Sequence, residues 1–91
     1  MRYFGEPSIE TRVEHHGAVV ALHGRVTTGA RDVKLRQTVR ELLDEGVTNI
    51  VIDLEDVPAI DSSGMGELVA AHAAISRQGG HLELRHLPPR V

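Results

Sequence analysis

The 91-residue sequence contains no cysteine, no tryptophan, one tyrosine and one phenylalanine. The lack of cysteine excludes disulfides and thiolate chemistry, and the scarcity of aromatic rings argues against a base-stacking platform for nucleic acid. No apolar run is long enough to cross a bilayer, and the N-terminus lacks the basic flank and apolar stretch of a secretory signal. We therefore expect a cytoplasmic protein that does not bind a membrane.

The charges are nearly balanced, with 10 Lys and Arg against 13 Asp and Glu and a formal net charge of −3. Hydrophobic residues make up 41% and charged residues 25%, which is ordinary for a globular domain. A disordered tail and a strongly basic nucleic-acid binder are excluded, so no nucleic-acid partner is expected. The length suits one domain over residues 1–91, with residues 1–7 as a loose lead-in.

Apolar periodicity divides the chain into two kinds of segment. Alternating or continuous apolar runs predict strands at residues 8–13, 18–22, 47–54 and 81–87. Helical spacing predicts helices over 30–45 and from Asp61 to Gly79-Gly80. The first two strands read as an antiparallel hairpin, and the strand–helix–strand units predict parallel pairing with right-handed crossovers. We expect an α/β fold with a mixed, mostly parallel sheet of about four strands and two helices.

The apolar run Ile50-Val51-Ile52 favours a strand buried on both faces of the sheet. Two helices in so short a chain either cover one face each or leave one face bare. The residues alone do not choose between these arrangements.

The stretch NIVIDLEDVPAIDSSGMG, residues 49–66, carries Asp61-Ser62-Ser63-Gly64 from a strand to the start of a helix. One interpretation is simply a helix cap, since Asp and Ser are favoured there. A second is a modification site, because phosphate adds about −1.5 to −2 charges and a helix N-terminus tolerates an anion. Phosphorylation of Ser62 would then change the surface beside Asp61 without unfolding the domain.

The chain resembles STAS domains, the fold of bacterial anti-sigma-factor antagonists, over nearly its whole length. The resemblance rests on the Ala18–Gly24 strand, the 30–45 helix, IVIDLEDV, DSSG followed by Met65-Gly66, and Gly79-Gly80. It implies that the unphosphorylated protein binds an anti-sigma factor that is also a serine kinase, and so frees a sigma factor. It also implies phosphorylation at Ser62, with Ser63 as the second choice, and a phosphatase that resets the switch.

The same resemblance implies a partner-binding surface at the start of the second helix and in the loop after the second predicted strand. Its residues are Asp61, Ser62, Ser63, Gly64, Met65, Gly66, Thr27 and Thr28. Many family members have an aspartate near the position of Thr27, and this departure leaves the identity of the partner open.

The family also continues with a helix after the last strand, whereas this chain stops at Val91, just after Pro88-Pro89. Either the chain is truncated, or a partner, a second copy or a related STAS domain covers the apolar surface.

Six histidines raise the question of a metal, but no pair has the i, i+4 helical spacing of a zinc site. His81 and His86 differ by an odd number and face opposite sides of a regular strand. His72 shares a helical face with Met65 and is assigned to the core or its edge. We expect no metal and no cofactor.

Three other functions are considered. An enzyme is not expected, since the Gly-x-Ser-x-Gly elbow is absent and no histidine is positioned by sequence as a base, so we predict no catalytic residue. A nucleotide- or small-ligand-binding STAS domain would use Gly64-Met65-Gly66, which lacks the lysine of a Walker motif. A non-phosphorylated STAS scaffold subunit of a signalling assembly would use DSSG only as a helix cap.

Overall fold

The computed structural model describes residues 2–6, 9–15, 17–24 and 30–88. The elements in chain order are β1 (Arg2–Glu6), β2 (Ile9–Glu14), β3 (Gly17–His23), α1 (Ala30–Asp44), β4 (Asn49–Asp56), α2 (Ser62–Arg77) and β5 (His81–Arg85). The predicted order of hairpin, helix, strand, helix and strand is confirmed. In the described ranges, neither helix is long and apolar enough to span a bilayer.

The five strands form one sheet in the order β1-β2-β3-β4-β5. The pairs β1–β2 and β2–β3 are antiparallel, and β3–β4 and β4–β5 are parallel. The mixed α/β sheet with two helices is therefore confirmed, but the expectation that it is mostly parallel is wrong, because the β1–β2–β3 part adds two antiparallel pairs to the two parallel ones. The lead-in expected at residues 1–7 is wrong for residues 2–6, which form a fifth strand. The segment RYFGE has no apolar alternation that would mark it as a strand.

Both helices pack against the same face of the sheet, where they form one core with alternate strand residues. Val20 on β3 lies opposite Ile52 on β4, and both are fully buried. The helices contribute Leu35, Val39, Leu42, Leu68, Ala71 and Ile75. Two right-handed crossovers that step in the same direction along a sheet leave their helices on one side of it.

The opposite face of the sheet is polar at its margins. Val51 and its neighbour Val19 point to that face and are half-buried, and no helix covers them within the described ranges. The expectation that the 50–52 segment is buried on both faces is therefore wrong. Both helices of the described ranges lie on the other side of the sheet.

Close packing of β3 and β5 against the β4 region depends on two glycines. A Cβ on Gly17 would lie 2.1 Å from the carbonyl oxygen of Asn49, where β4 begins. A Cβ on Gly80 would lie 2.1 Å from the carbonyl oxygen of Thr48 and 2.9 Å from the Ile75 side chain. Only a residue without a side chain allows these backbones to approach so closely.

Candidate functional site at the start of the second helix

Asp61 caps α2. Its backbone is extended, with φ −89° and ψ −179°, and its Oδ1 accepts a hydrogen bond of 2.8 Å from the backbone N–H of Gly64. The Asp61 carbonyl accepts the first helical bond, from the N–H of Met65, at 2.9 Å. The structure thus agrees with the helix-cap interpretation of the DSSG sequence, which is compatible with a modified serine next to the cap.

Ser62 and Ser63 are the first two helical residues, and both are exposed. The N–H groups of a first turn have no partner within the helix and give that end partial positive charge. Within the first turn there is no acidic residue, so the nearest fixed negative charge is the Asp61 cap itself. A phosphate on either hydroxyl would lie in solvent next to a favourable helix end.

The three residues that follow differ in their surroundings. Gly64 is buried, Met65 is half-buried against the core, and Gly66 is exposed. A Cβ on Gly66 would meet nothing within 4 Å, so the packing of this chain does not require glycine there. Of the predicted partner-binding residues, the structure brings those from Asp61 to Gly66 together on one helical end. Thr27 and Thr28 lie outside the described residues.

An apolar strip continues from this helix end along α2. Met65, Val69 and His72 lie at helical spacing, and with Leu82 and Leu84 of β5 they line an apolar depression. Val69 is 61% exposed and His72 is also exposed. The assignment of His72 to the core or its edge is wrong, because Gly64, Leu68, Ala71 and Ile75 form the buried face of α2.

An ion pair joins the two helices one turn beyond the cap. The Arg36 Nε lies 3.0 Å from Oε2 of Glu67, which is largely buried, while the Arg36 side chain is more than half exposed. The two residues are far apart in sequence and meet because α1 and α2 pack side by side.

A second group of polar side chains lies at the carboxyl ends of β4 and β5, on the face opposite the helices. Oδ1 of Asp53 lies 2.8 Å from Nδ1 of His86 and accepts a 3.0 Å hydrogen bond from the backbone N–H of Glu55. The His86 hydrogen bond lowers the pKa of Asp53, against a smaller opposing effect of burial. The same bond raises the pKa of His86 above its ordinary value.

Sequence reasoning missed this group because it compared the histidines only with one another. His86 directly follows Arg85, which lies opposite Asp53 in the parallel β4–β5 register. The predicted parallel pairing of β4 with β5 could have revealed the group. Parallel pairing places the acidic residues at the end of β4 beside the residues at the end of β5.

The family model described as "Mlab, STAS domain" matches residues 9–91. A curated relative, the anti-sigma F factor antagonist of Paenibacillus polymyxa, is 26% identical over an alignment of 89 positions that covers 92% of this chain and 74% of the relative.

Two solved structures share the fold. The anti-sigma factor antagonist SpoIIAA in its unphosphorylated form superposes with a TM-score of 0.74 at 23% identity, covering 89% of this chain and 74% of that chain. A crystal structure of Mglu gives a TM-score of 0.76 at 17% identity, covering 89% of this chain. This chain spans only 20% of the Mglu chain.

Proposed function

Because the chain belongs to the STAS domain family, we propose that it is an anti-sigma-factor antagonist controlled by phosphorylation. In this proposal the unphosphorylated protein binds an anti-sigma factor that is a serine kinase, and a sigma factor is released. The protein acts by binding and catalyses no reaction. The name of the Paenibacillus polymyxa relative supports this class of function. We place the protein in the cytoplasm, where such a regulator would act.

The observation that carries the proposal is the position of Ser62, exposed and first in α2 directly after the Asp61 cap. A kinase reaches such a hydroxyl without unfolding the domain. The phosphate adds a dianion where the helix end favours it. The fold therefore survives, while a partner packed against Ser62 loses contact and meets negative charge beside Asp61. Ser63, equally exposed, is the second candidate acceptor.

The proposed partner surface combines this polar end with an apolar margin. The exposed Asp61, Ser62 and Ser63 lie beside half-buried Met65, and Val69 continues the strip one turn further along α2. Buried apolar contact area would provide most of the binding free energy. Phosphorylation of the serine at the edge of this contact would then prevent binding. Gly66, with open space where a side chain would be, allows a close approach. Thr27 and Thr28 complete the proposed surface, whereas Gly64 is buried and adds little exposed area to it. A phosphatase restores the binding form.

The deciding experiment is intact-mass and peptide mapping of the protein from its native cells, with capture of partners by wild type, Ser62→Ala and Ser62→Asp. We expect one phosphate on Ser62, a kinase-like partner retained by Ser62→Ala, and loss of that partner by Ser62→Asp. Ser76→Asp is the matched control, because Ser76 is also an exposed serine of α2 but lies near the other end of the helix, outside the residues of the proposed partner surface. An unmodified serine and the same partners for all forms would overturn the proposal.

That negative outcome defines a second candidate, a STAS scaffold subunit that is never phosphorylated. The observation that favours it is the Asp61–Gly64 hydrogen bond, since a cap alone accounts for Asp61. Such a subunit would form stable complexes, with related STAS domains or a second copy of itself, that Ser62→Asp leaves intact.

A further inference from the structure

Three side chains of metal-ligating type converge at the carboxyl ends of β4 and β5, and none of them belongs to the proposed partner surface. They are Asp53 and Glu55 of β4 and His86, which follows β5. One ligand atom from each lies within 4.8 Å of the other two. Asp53 and His86 are 33 residues apart in sequence, so the fold itself brings them together.

The backbone holds the two closest members in place. Asp53 lies in a central strand, paired with Ala21 on one side and Arg85 on the other. The N–H of Glu55 fixes Oδ1 of Asp53 at 3.0 Å. His86 has a φ of 58°, uncommon for a residue other than glycine, and its imidazole meets Asp53 at 2.8 Å.

The spacing suits one small cation. Zinc bonds to nitrogen and oxygen are about 2.0–2.2 Å long, so two ligands of one ion lie roughly 3–3.5 Å apart. The Asp53–His86 pair already lies near that separation, and Glu55, which is exposed, has a ligand atom within 4.8 Å of those of the other two residues. The neighbouring Arg85 has its Nε 2.6 Å from Glu83, so this nitrogen is directed to a carboxylate outside the cluster.

We propose that Asp53, Glu55 and His86 bind a divalent transition-metal ion, with zinc favoured by the donor set. One imidazole nitrogen and two carboxylate oxygens suit zinc, whereas magnesium and calcium prefer oxygen ligands alone. The ion takes the place of the hydrogen bond between His86 and Asp53. Three protein ligands on an open surface leave a coordination position for water or for a group from another molecule. This inference does not depend on the proposed function, because none of the three ligands belongs to the helix end around Ser62.

The test is calorimetric titration of zinc chloride into tag-free protein that has been dialysed against a chelator. We expect one zinc ion per chain for wild type and for His72→Ala, which removes an exposed histidine elsewhere. His86→Asn removes the imidazole and suits a positive φ, and we expect it to weaken binding at least tenfold. Asp53→Asn is expected to do the same, and magnesium is expected not to compete.

Circular dichroism and thermal unfolding of each variant show whether it is folded, and His86→Asn decides the question if Asp53→Asn does not fold. Absence of a one-to-one zinc complex in wild type would overturn the proposal. Equal affinity of wild type and folded His86→Asn, or loss of binding in His72→Ala, would overturn it as well.

Discussion

The Asp61 carboxylate and the backbone N–H of Gly64 are joined by a 2.8 Å hydrogen bond that closes the first turn of α2. The residue next to the proposed phosphorylation site is therefore also a structural cap. Most substitutions of Asp61 change both the stability of the helix end and the charge presented to a partner. Asn separates the two effects, because it removes the charge but caps a helix about as well as Asp.

We predict that Asp61→Ala lowers the free energy of unfolding by about 1 kcal/mol, since the N–H of Gly64 loses its acceptor. Asp61→Asn should cost much less, because the amide oxygen accepts the same bond. Urea unfolding of wild type and both variants measures the difference. If partner capture falls in Asp61→Asn while stability holds, the carboxylate charge acts in binding. Equal stability of all three proteins would mean that the cap contributes nothing.

Two glycines, one near each end of α2, should respond to alanine in opposite directions. Gly80→Ala puts a Cβ 2.1 Å from the Thr48 carbonyl oxygen, and we expect a loss of about 1–3 kcal/mol because backbone and the Ile75 side chain must move. Gly66→Ala meets nothing within 4 Å, and in a helix alanine is favoured over glycine by about 1 kcal/mol. Urea unfolding of both variants measures the change in the free energy of unfolding, which we expect to be a decrease for Gly80→Ala and an increase for Gly66→Ala.

Gly66→Ala also tests the proposed surface, because it changes shape without harming the fold. If a partner packs closely over this helix end, its capture should weaken in a protein that is more stable than wild type. Unchanged capture would show that the contact does not extend over Gly66.

The predictable part of the fold was the part with strong local periodicity. Apolar runs around Val20 and Ile52 and helical spacing around Leu35 gave elements close to those observed. Strand β1 was missed because its sequence, RYFGE, has no apolar alternation. Both helices lie on one face of the sheet because of the geometry of the two crossovers. The apolar pattern of residues 50–52 does not show which face or faces the helices cover.

The candidate site divides in the same way. The run from Asp61 to Gly66 is local, so the sequence placed it correctly at a helix start. Exposure of Val69 and His72 depends on which side of α2 meets the sheet. The pairing of Asp53 with His86 depends on the β4–β5 register. Neither relationship is encoded within a few residues of the site.

The Asp53–His86 pair should make the metal-free protein sensitive to pH. The pKa of His86 is raised, so its stabilising contribution is complete below the pKa of an unfolded histidine, about 6.5, and is lost as pH rises through the higher folded value. The pKa of Asp53 is lowered, so its contribution is complete above the unfolded aspartate value and is lost as pH falls through the lower folded one. The stabilising contribution of the pair is therefore complete only between the unfolded aspartate and unfolded histidine pKa values, and it declines as pH moves outside that range.

The measurement is NMR titration of the histidine ring protons in chelator-treated protein. We expect Asp53→Asn to return the pKa of His86 towards the ordinary histidine value. Asp56→Asn is the matched control, because Asp56 lies 2.8 Å from His23 rather than beside His86, and it should leave the His86 titration unchanged. A His86 pKa that is the same in wild type and Asp53→Asn would contradict the pairing.

Substitution of Val69 by serine tests whether the apolar strip beside Ser62 contributes to partner binding. Its side chain is 61% exposed, so Val69→Ser should change the free energy of unfolding by no more than about 0.5 kcal/mol. Capture of the partner should fall several-fold, since an apolar contact at the margin of the switch is lost. Ala70→Ser is the matched control: Ala70 is also exposed but lines the groove between α1 and α2. Binding constants for the two folded variants decide between them. Weaker partner binding by Ala70→Ser, with unchanged binding by Val69→Ser, would contradict this prediction and would place the partner in the groove between α1 and α2.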